Sequence, residues 1–393
     1  MNEIQDLDEL ITKLIPKDAH ILAKTLTNAI NIASNYWSNI YQLDIDYATK
    51  ETDVKSTKHF VVKCVVPDSA KAVMNKPMFK SEIQFYREVL PTLQQFLRNN
   101  NLPEMNFFPN MRAARINTEE VDENSVIILE DLRYEGYQNM DKLKGINLEE
   151  TKSLLIDIAT FHAVPLAIKH SNSVLFQTKI KNNCIDPLPL PKPTNGENNT
   201  PPPFPFELLR EVLEESEFCK ANLDKFEQIV KKTKEETQPI VFFKRKDPNG
   251  KFSTLCHNDM WINNIMQTTE EPKKNKLLDF QIYTIDNLAL DLIYFLFTSV
   301  NSEVLQRNFD YLLRFYYDSF IQILKLLKCT ENYFQYDYFI EKVNEAAVDK
   351  FIHIGSMTMI ATKSKKNGNG DVHTGAKEKF VFLFTEMVKR KWI

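Results

Sequence analysis

The stretch His257-Asn258-Asp259-Met260-Trp261-Ile262-Asn263-Asn264 contains an aspartate and, five residues later, an asparagine. The segment Leu277-Leu278-Asp279-Phe280-Gln281 then places a second aspartate at the end of an apolar run. The residues between them are typical of a β-hairpin, with a turn at 270–275, which would bring Asn264 and Asp279 to the same end. Carboxylate and amide oxygens are the ligands that Mg²⁺ prefers. The pattern therefore predicts a cation site beside a reactive carboxylate.

This order of side chains fits phosphoryl transfer, which needs positioning and charge neutralisation more than covalent chemistry. We expect Asp259 to act as the catalytic carboxylate that receives or orients the proton of an acceptor hydroxyl. Asn264 and Asp279 are the predicted Mg²⁺ ligands. His257 is expected to orient the backbone rather than to react, and Trp261 to form part of the core or a wall of the site.

A lysine inside an apolar strand supplies the second half of a nucleotide site. Lys63 lies within Phe60 to Val66, and burying it is costly unless it is paired. Glu82 lies nineteen residues further on, in a predicted helix, and a Lys–Glu pair of this kind holds the lysine against nucleotide phosphates in kinases. The alternative is an edge strand with Lys63 in solvent. The sequence after a predicted buried strand, at Glu130 and Leu132, suits a hinge whose backbone contacts adenine.

The length of 393 residues and a hydrophobic content of 43% predict a sizeable core divided into two lobes. Residues 1–130 are predicted to form a small mixed lobe, with helix over 1–32, strands over 40–66, a helix near 80–96 and a strand at 126–129. Residues 131–393 are predicted to form a larger, mainly helical lobe, with long helices at 149–168 and 303–328. Its segment 185–206 is rich in proline and is expected to be a surface loop or a flap over the site.

Charge and targeting signals exclude several classes of function. The net charge of −4 and the pI of about 6.1 argue against a nucleic-acid footprint. The N-terminal residues do not resemble a signal peptide, and we find no apolar run long enough to span a membrane. Five widely spaced cysteines match neither a zinc pattern nor a disulfide framework. We therefore expect a cytoplasmic protein that binds neither nucleic acid nor a membrane, and a monomer.

Together these segments resemble the ecdysteroid kinase-like family (also called CHK kinase-like), insect relatives of choline and aminoglycoside kinases. The resemblance covers roughly residues 30–330. It is carried by the following segments: Phe60-Val61-Val62-Lys63, Phe79 to Pro91, Ile128 to Leu132, Ile158 to Ala163, Cys256 to Asn264, Leu278 to Gln281 and Asp291 to Leu296. The resemblance implies a two-lobed protein-kinase-like fold of the α+β class, with ATP and Mg²⁺ as cofactors. It also implies a hydroxylated small-molecule acceptor, which for the namesake members is the C-22 hydroxyl of an ecdysteroid, and a structural role for Asp291.

One segment departs from the family pattern. The turn expected to cover the phosphates, residues 34–39, has no glycine, and the first of the eight glycines in the chain is Gly136. We expect Ser34 and Ser38 to offer hydroxyl groups to the nucleotide there. The alternative that this turn favours is a catalytically weak binding protein that retains the fold. The retained site residues argue against it: Lys63, Glu82, Asp259, Asn264 and Asp279.

The identity of the acceptor stays open at the level of sequence. A choline-like acceptor requires an aromatic cage with acidic residues, whereas a sterol requires a mostly apolar cleft with a few polar groups. A xenobiotic acceptor is a further alternative. Aromatic residues of the C-terminal half, such as Tyr294 and Phe295, fit helix packing at least as well as a ligand pocket.

Overall fold

In the computed structural model most of the long strands lie in the N-terminal third of the chain, and most of the long helices follow them. The structure describes residue 4 and residues 7–28, 38–50, 54–65, 69–116, 121–122, 124–186, 188–189, 204–236, 241–242, 245–329, 334–362 and 372–393. In chain order its helices and strands are α1 (Leu7–Ile11), β1 (Ala19–Asn28), β2 (Ser38–Thr49), β3 (Ser56–Val65), α2 (Ser69–Gln84), α3 (Leu90–Asn99), β4 (Met111–Arg115), β5 (Val126–Glu130), β6 (Tyr137–Asn139), α4 (Leu148–Ser171), α5 (Ser173–Leu175), β7 (Leu188–Pro189), α6 (Phe206–Glu214), α7 (Glu217–Lys220), α8 (Leu223–Glu236), β8 (Val241–Phe242), β9 (Ser253–Cys256), β10 (Ile265–Thr268), β11 (Asn275–Leu277), β12 (Thr284–Asn287), α9 (Ala289–Ser299), α10 (Ser302–Leu326), α11 (Tyr336–Thr362) and α12 (Thr374–Lys389).

The chain forms two compact units. Unit 1 comprises Met1–Leu90, Asn106–Gln138 and Gln267–Gln281. Unit 2 comprises Pro91–Met105, Asn139–Met266 and Ile282–Ile393. The sequence prediction placed a single boundary at residue 130, whereas here the hairpin of β10 and β11 returns the chain to unit 1 after the helices have begun.

Unit 1 is built on a five-stranded sheet in the order β1-β2-β3-β5-β4, with antiparallel neighbours throughout. Successive side chains of a strand point to opposite faces. Phe60 and Val62 of β3 therefore face a core formed with Leu10 of α1 and Ile128 of β5. Lys63 lies on the opposite face, in register with Ile40 of β2 and Ile127 of β5. Because β3 is an interior strand, the alternative of an edge strand with a solvated Lys63 is wrong.

Unit 2 is mainly helical, and its core contains the whole of α9 and one side of α4. In α4, Leu154, Ile158 and Phe161 are fully buried, and this helix packs against α10 and β9. All residues of α9 are buried, and α9 packs against α11. Strands β9 and β12 form an antiparallel pair that immediately precedes the Asp259 loop on one side and α9 on the other. The pair thus fixes the start of both segments.

Contrary to the expectation from sequence, helix α4 is long and apolar enough to cross a membrane, the single helix among the described residues that meets this test. However, 72% of its apolar window is buried inside the protein. That burial is what a core helix of a folded domain shows.

Two local predictions differ from the structure. Residues 19–28 were predicted to continue a helix but form strand β1, which pairs with β2 from Ala19 to Asn28. Pro16 ends the helical pattern, and pairing with a strand about twenty residues further on then decides the conformation. Strand β4 was not predicted at all. The proline-rich segment predicted at 185–206 lies largely outside the described residues.

Candidate active site

A buried lysine in unit 1 joins two carboxylates. Lys63 Nζ lies 2.7 Å from Glu82 Oε1 and 2.8 Å from Asp279 Oδ1, and Lys63 is only 7% exposed. Burial disfavours the ammonium form, but the charges of Asp279 and Glu82 outweigh it and raise the pKa of Lys63 above its ordinary value. The lysine is therefore held as a fixed positive charge, and the predicted pair with Glu82 is present.

Glu82 has a second neighbour that the sequence motif contained without an assigned role. The amide Nε2 of Gln281 donates to Glu82 Oε2 at 3.2 Å and to Ser38 Oγ at 3.4 Å. Glu82 and Gln281 are both buried. The buried carboxylate thus has one oxygen on Lys63 and the other on an amide, which satisfies both. Ser38 therefore contacts this cluster through Gln281, while Ser34 lies outside the described residues.

The backbone at Asp279 is unusual and explains how the side chain reaches Lys63. Asp279 has a φ of 69°, in the left-handed region that aspartate tolerates better than most residues. The next side chain, Phe280, is fully buried and stacks on Phe85 with ring centres 3.8 Å apart. The stacked ring fixes the turn on one side, and the ion pair fixes it on the other. Asp279 itself stays partly exposed, with 21% of its side chain accessible.

Asp259 in unit 2 is held by neutral donors. Asn264 Nδ2 donates to Asp259 Oδ2 at 2.8 Å and to the Asp259 carbonyl oxygen at 3.0 Å. The hydroxyl of Tyr294 donates to Asp259 Oδ1 at 3.4 Å. Burial, followed by the charge of Asp259, raises the pKa of Tyr294 well above its ordinary value, so the phenol stays protonated and donates. These contacts orient the half-buried carboxylate without neutralising its charge.

A second, fully buried aspartate supports the backbone of this loop. Asp291 accepts hydrogen bonds from His257 N at 2.6 Å and Asn258 N at 2.8 Å, and contacts His162 Nε2 at 3.2 Å. Burial acts to raise the pKa of Asp291, but the hydrogen bond and charge of His162, with those of His257, lower it below its ordinary value. Asn258 has a φ of 67°, which turns the chain toward Asp259. The structural role implied for Asp291 matches these contacts.

Sequence reasoning missed two groups around Asp259. Tyr294 follows Asp291 by three residues on α9, so both side chains lie on similar faces of one helix. That spacing was the available signal. Lys350 of α11 lies with Nζ 5.4 Å from the centre of the Tyr294 ring. Burial lowers the pKa of Lys350, although the carboxylates of Asp291 and Asp259 act against it. No local pattern connects α11 to the loop.

The predicted hinge residues have partners of their own in unit 1. Glu130, the last residue of β5, accepts from Asn110 Nδ2 at 2.7 Å and from Arg112 at 3.1 Å, and its backbone N–H donates to Asn110 O. Leu132 is buried, and its carbonyl oxygen accepts from Gly136 N. Contacts of Glu130 and Leu132 with adenine stay predictions.

The predicted metal ligands retain oxygen atoms suited to a hard cation. The two hydrogen bonds of Asn264 use its amide nitrogen and leave its oxygen Oδ1 outside them. Asp279 binds Lys63 through Oδ1, and its second oxygen belongs to a partly exposed side chain. An amide oxygen and a carboxylate oxygen are a donor set that Mg²⁺ accepts. The chemistry of both residues fits the predicted ion, and their joint coordination of one cation stays a prediction.

The sequence model of the ecdysteroid kinase-like family matches residues 33–329. No curated protein matches the chain. Similar solved structures include choline kinase from Cryptosporidium parvum, with 12% identity, coverage of 99% of this chain and 98% of that chain, and a TM-score of 0.39. Ethanolamine kinase from Plasmodium vivax has 11% identity, coverage of 97% and 86%, and a TM-score of 0.35. An aminoglycoside 2′-phosphotransferase in its GDP complex has 11% identity, coverage of 99% and 97%, and a TM-score of 0.40.

Proposed function

The chain belongs to the ecdysteroid kinase-like family, and we propose that it transfers the γ-phosphoryl group of ATP to a hydroxyl group of a small molecule. The predicted fold class is confirmed: an N-terminal antiparallel sheet is followed by a mainly helical part, as in protein-kinase-like folds. The observation that carries the proposal is Lys63, buried between Glu82 and Asp279 at 2.7 and 2.8 Å. A buried cation held in this way is suited to nucleotide phosphates.

In the proposed reaction Asp259 receives the proton of the acceptor hydroxyl. The acceptor oxygen forms a bond to the γ-phosphorus, and the bond from that phosphorus to the bridging oxygen of ADP breaks. Asn264 and Tyr294 keep the carboxylate oriented through their hydrogen bonds. Lys63 stabilises negative charge on the phosphates. When bound, Mg²⁺ would neutralise charge on the transferring group, and Asn264 and Asp279 are the residues proposed to hold it.

Because the chain belongs to the ecdysteroid kinase-like family, the first acceptor to examine is an ecdysteroid. The proposed product is the inactive conjugate phosphorylated at the C-22 hydroxyl. The test measures ATP consumption and phosphorylated product with Mg²⁺ for ecdysone, 20-hydroxyecdysone, choline, an aminoglycoside and a generic protein substrate. We expect a hydroxyl group of a small molecule to be phosphorylated, and we expect no phosphorylation of the generic protein substrate. The Lys63→Met variant serves as the inactive control. No turnover of ATP with any of these acceptors would favour the catalytically weak binding protein if an acceptor still binds, and an untested xenobiotic acceptor if none does.

A further inference from the structure

A cavity of about 290 Å³ lies in unit 2 beside the Asp259 loop. Trp261, two residues after Asp259, lines it, and so do Thr298 at the end of α9 and Lys379 of α12. Trp261 N donates to Asp259 O at 3.1 Å, so the wall and the carboxylate belong to one tight turn. The volume is at the lower end of the range for small-molecule sites. A compact acceptor, or one end of a larger one, fits such a space.

Lys379 places a buried cation on the cavity wall. It is 7% exposed, and Nζ donates to the carbonyl oxygens of Thr298 at 3.2 Å and Val300 at 3.1 Å. An ammonium group has three donors, so these contacts leave one for another partner. Among the described residues no carboxylate forms an ion pair with it. Burial lowers the pKa of Lys379 to about 8, which leaves most of the group charged at neutral pH.

The other polar groups of the cavity also favour a ligand that offers oxygen atoms as hydrogen-bond acceptors. The indole N–H of Trp261 is buried and has no hydrogen-bond partner among the described residues. Of the two glutamates of the lining, Glu303 pairs with Arg307 at 2.7 Å and Glu378 accepts from the hydroxyl of Ser302. The lining lysines, Lys142, Lys144 and Lys379, outnumber these glutamates. Trp261 is the single lining residue with a Phe, Tyr or Trp ring among those described, so an aromatic cage for a quaternary ammonium is not formed by them.

We propose that this cavity is the acceptor site and that it binds the acceptor through oxygen atoms, contacted by Lys379 Nζ and Trp261 Nε1, while disfavouring cationic acceptors. The inference rests on the proposed function, since it names the acceptor class of the same reaction. A buried ammonium and an unpaired N–H both gain from a hydroxyl, carbonyl or carboxylate oxygen, and the ammonium repels a second cation. A polyhydroxylated neutral molecule such as an ecdysteroid meets this requirement, and choline does not.

The test uses three probes that share one ring and one hydroxyl and differ in charge: p-(hydroxymethyl)benzoate, its carboxamide, and p-(hydroxymethyl)benzyltrimethylammonium. Binding to the full chain is measured by calorimetry without ATP. We expect the benzoate and the carboxamide to bind at least about tenfold more tightly than the ammonium probe, because the latter pairs like charges in a partly desolvated site. Binding of the ammonium probe equal to or tighter than the others, or binding of no probe, would overturn the proposal.

Variants of the two donors separate recognition from folding. Lys379→Met should remove the preference for the benzoate, and Lys379→Arg should keep it. Lys377→Met, on the same helix but only half-buried and paired with Glu215, is the matched control and should bind as the wild type does. Should Lys379→Met fail to fold, Trp261→Phe tests the same site, with binding of the carboxamide weakened roughly fivefold by loss of one hydrogen bond. If Lys379 only caps α9, the Lys379→Met variant will keep the preference for the benzoate. That result would refute the proposal.

The outcome is separable from that of the proposed function. Nucleotide binding is measured in parallel with Mg²⁺ and ATP in wild type and Lys63→Met. Probe binding without the expected charge preference refutes the acceptor class and leaves phosphoryl transfer standing. The expected charge preference in a protein that never uses ATP supports the cavity assignment and refutes the transfer reaction.

Discussion

The charged clusters of the two units are built in opposite ways. In unit 1, Lys63 is buried and contacts two carboxylates, so the cluster of Lys63, Glu82 and Asp279 is stabilised by opposite charges. In unit 2, Asp259 is half-buried and its contacts with Asn264 and Tyr294 come from neutral donors. The first arrangement fixes a positive charge in place. The second fixes the direction of a negative charge while leaving it able to accept a proton.

Because of this difference, we expect the two clusters to contribute differently to folding stability and to the reaction. Removing one member of the Lys63 cluster leaves an uncompensated buried charge, which is costly to the fold. Removing the charge of Asp259 leaves Asn264 and Tyr294 facing a neutral amide, which costs the fold less than an uncompensated buried charge. Variants of the two clusters are therefore expected to differ in kind: those in unit 1 change both stability and nucleotide binding, and those at Asp259 change turnover alone.

The largest effect is expected for Lys63→Met. It leaves Glu82 and Asp279 without their cation and should lower the free energy of unfolding by about 3–5 kcal/mol, besides removing nucleotide binding. Urea unfolding at constant pH measures the loss. Lys76→Met, an exposed lysine of α2 in the same unit, is the matched control and should unfold like the wild type. An unchanged unfolding midpoint for Lys63→Met would mean that the cluster does not stabilise unit 1.

A smaller effect is expected at Asp291, which holds the loop of Asp259 from behind. Its lowered pKa adds stability that is fully present above the ordinary value of 3.8 and is lost as the pH falls through the lower value of the folded protein. Asp291→Asn should cost about 1.5–3 kcal/mol at neutral pH, as expected for hydrogen bonds to a charged group. Acid titration of unfolding in both proteins checks this: the difference should shrink below the ordinary pKa. A difference that is constant with pH would rule out a charged Asp291.

The smallest effect is expected for Tyr294→Phe. Its hydrogen bond to Asp259 is long, at 3.4 Å, so its loss should cost at most about 1 kcal/mol in turnover, a reduction of roughly fivefold. Steady-state kinetics with the best acceptor measures the change. Tyr311→Phe, an exposed tyrosine of the same unit, provides the comparison and should leave turnover unaffected. A hundredfold loss in Tyr294→Phe would instead give the phenol a direct role in proton transfer.

Short-range patterns in the sequence predicted much of this arrangement. The apolar strand around Lys63, the helix carrying Glu82 and the hairpin between Asn264 and Asp279 are local features, and all three are present. The long helices at 149–168 and 303–328 also match α4 and α10 within a few residues. Each of these features depends on periodicity or spacing within about twenty-five residues, which a sequence displays directly.

Features that depend on distant pairing were not predictable. Strand β1 contains no strong apolar alternation and forms through its ladder with β2. The contact between Lys63 and Asp279 spans 216 positions and requires the chain to return to unit 1. Lys379 is one of three lysines of helix α12, and its burial beside the end of α9 becomes visible only once α9 and α12 are packed.

The central claim is that Asp259 serves phosphoryl transfer and not folding. The most direct measurement compares Asp259→Asn with the wild type for turnover of ATP with the best acceptor, for nucleotide binding and for thermal unfolding, with Asp337→Asn, an exposed aspartate of the same unit, as the control. Loss of the proton-accepting group predicts turnover reduced by about 10²-fold or more, with nucleotide binding and unfolding unchanged. Turnover of Asp259→Asn within a few-fold of the wild type would contradict the account.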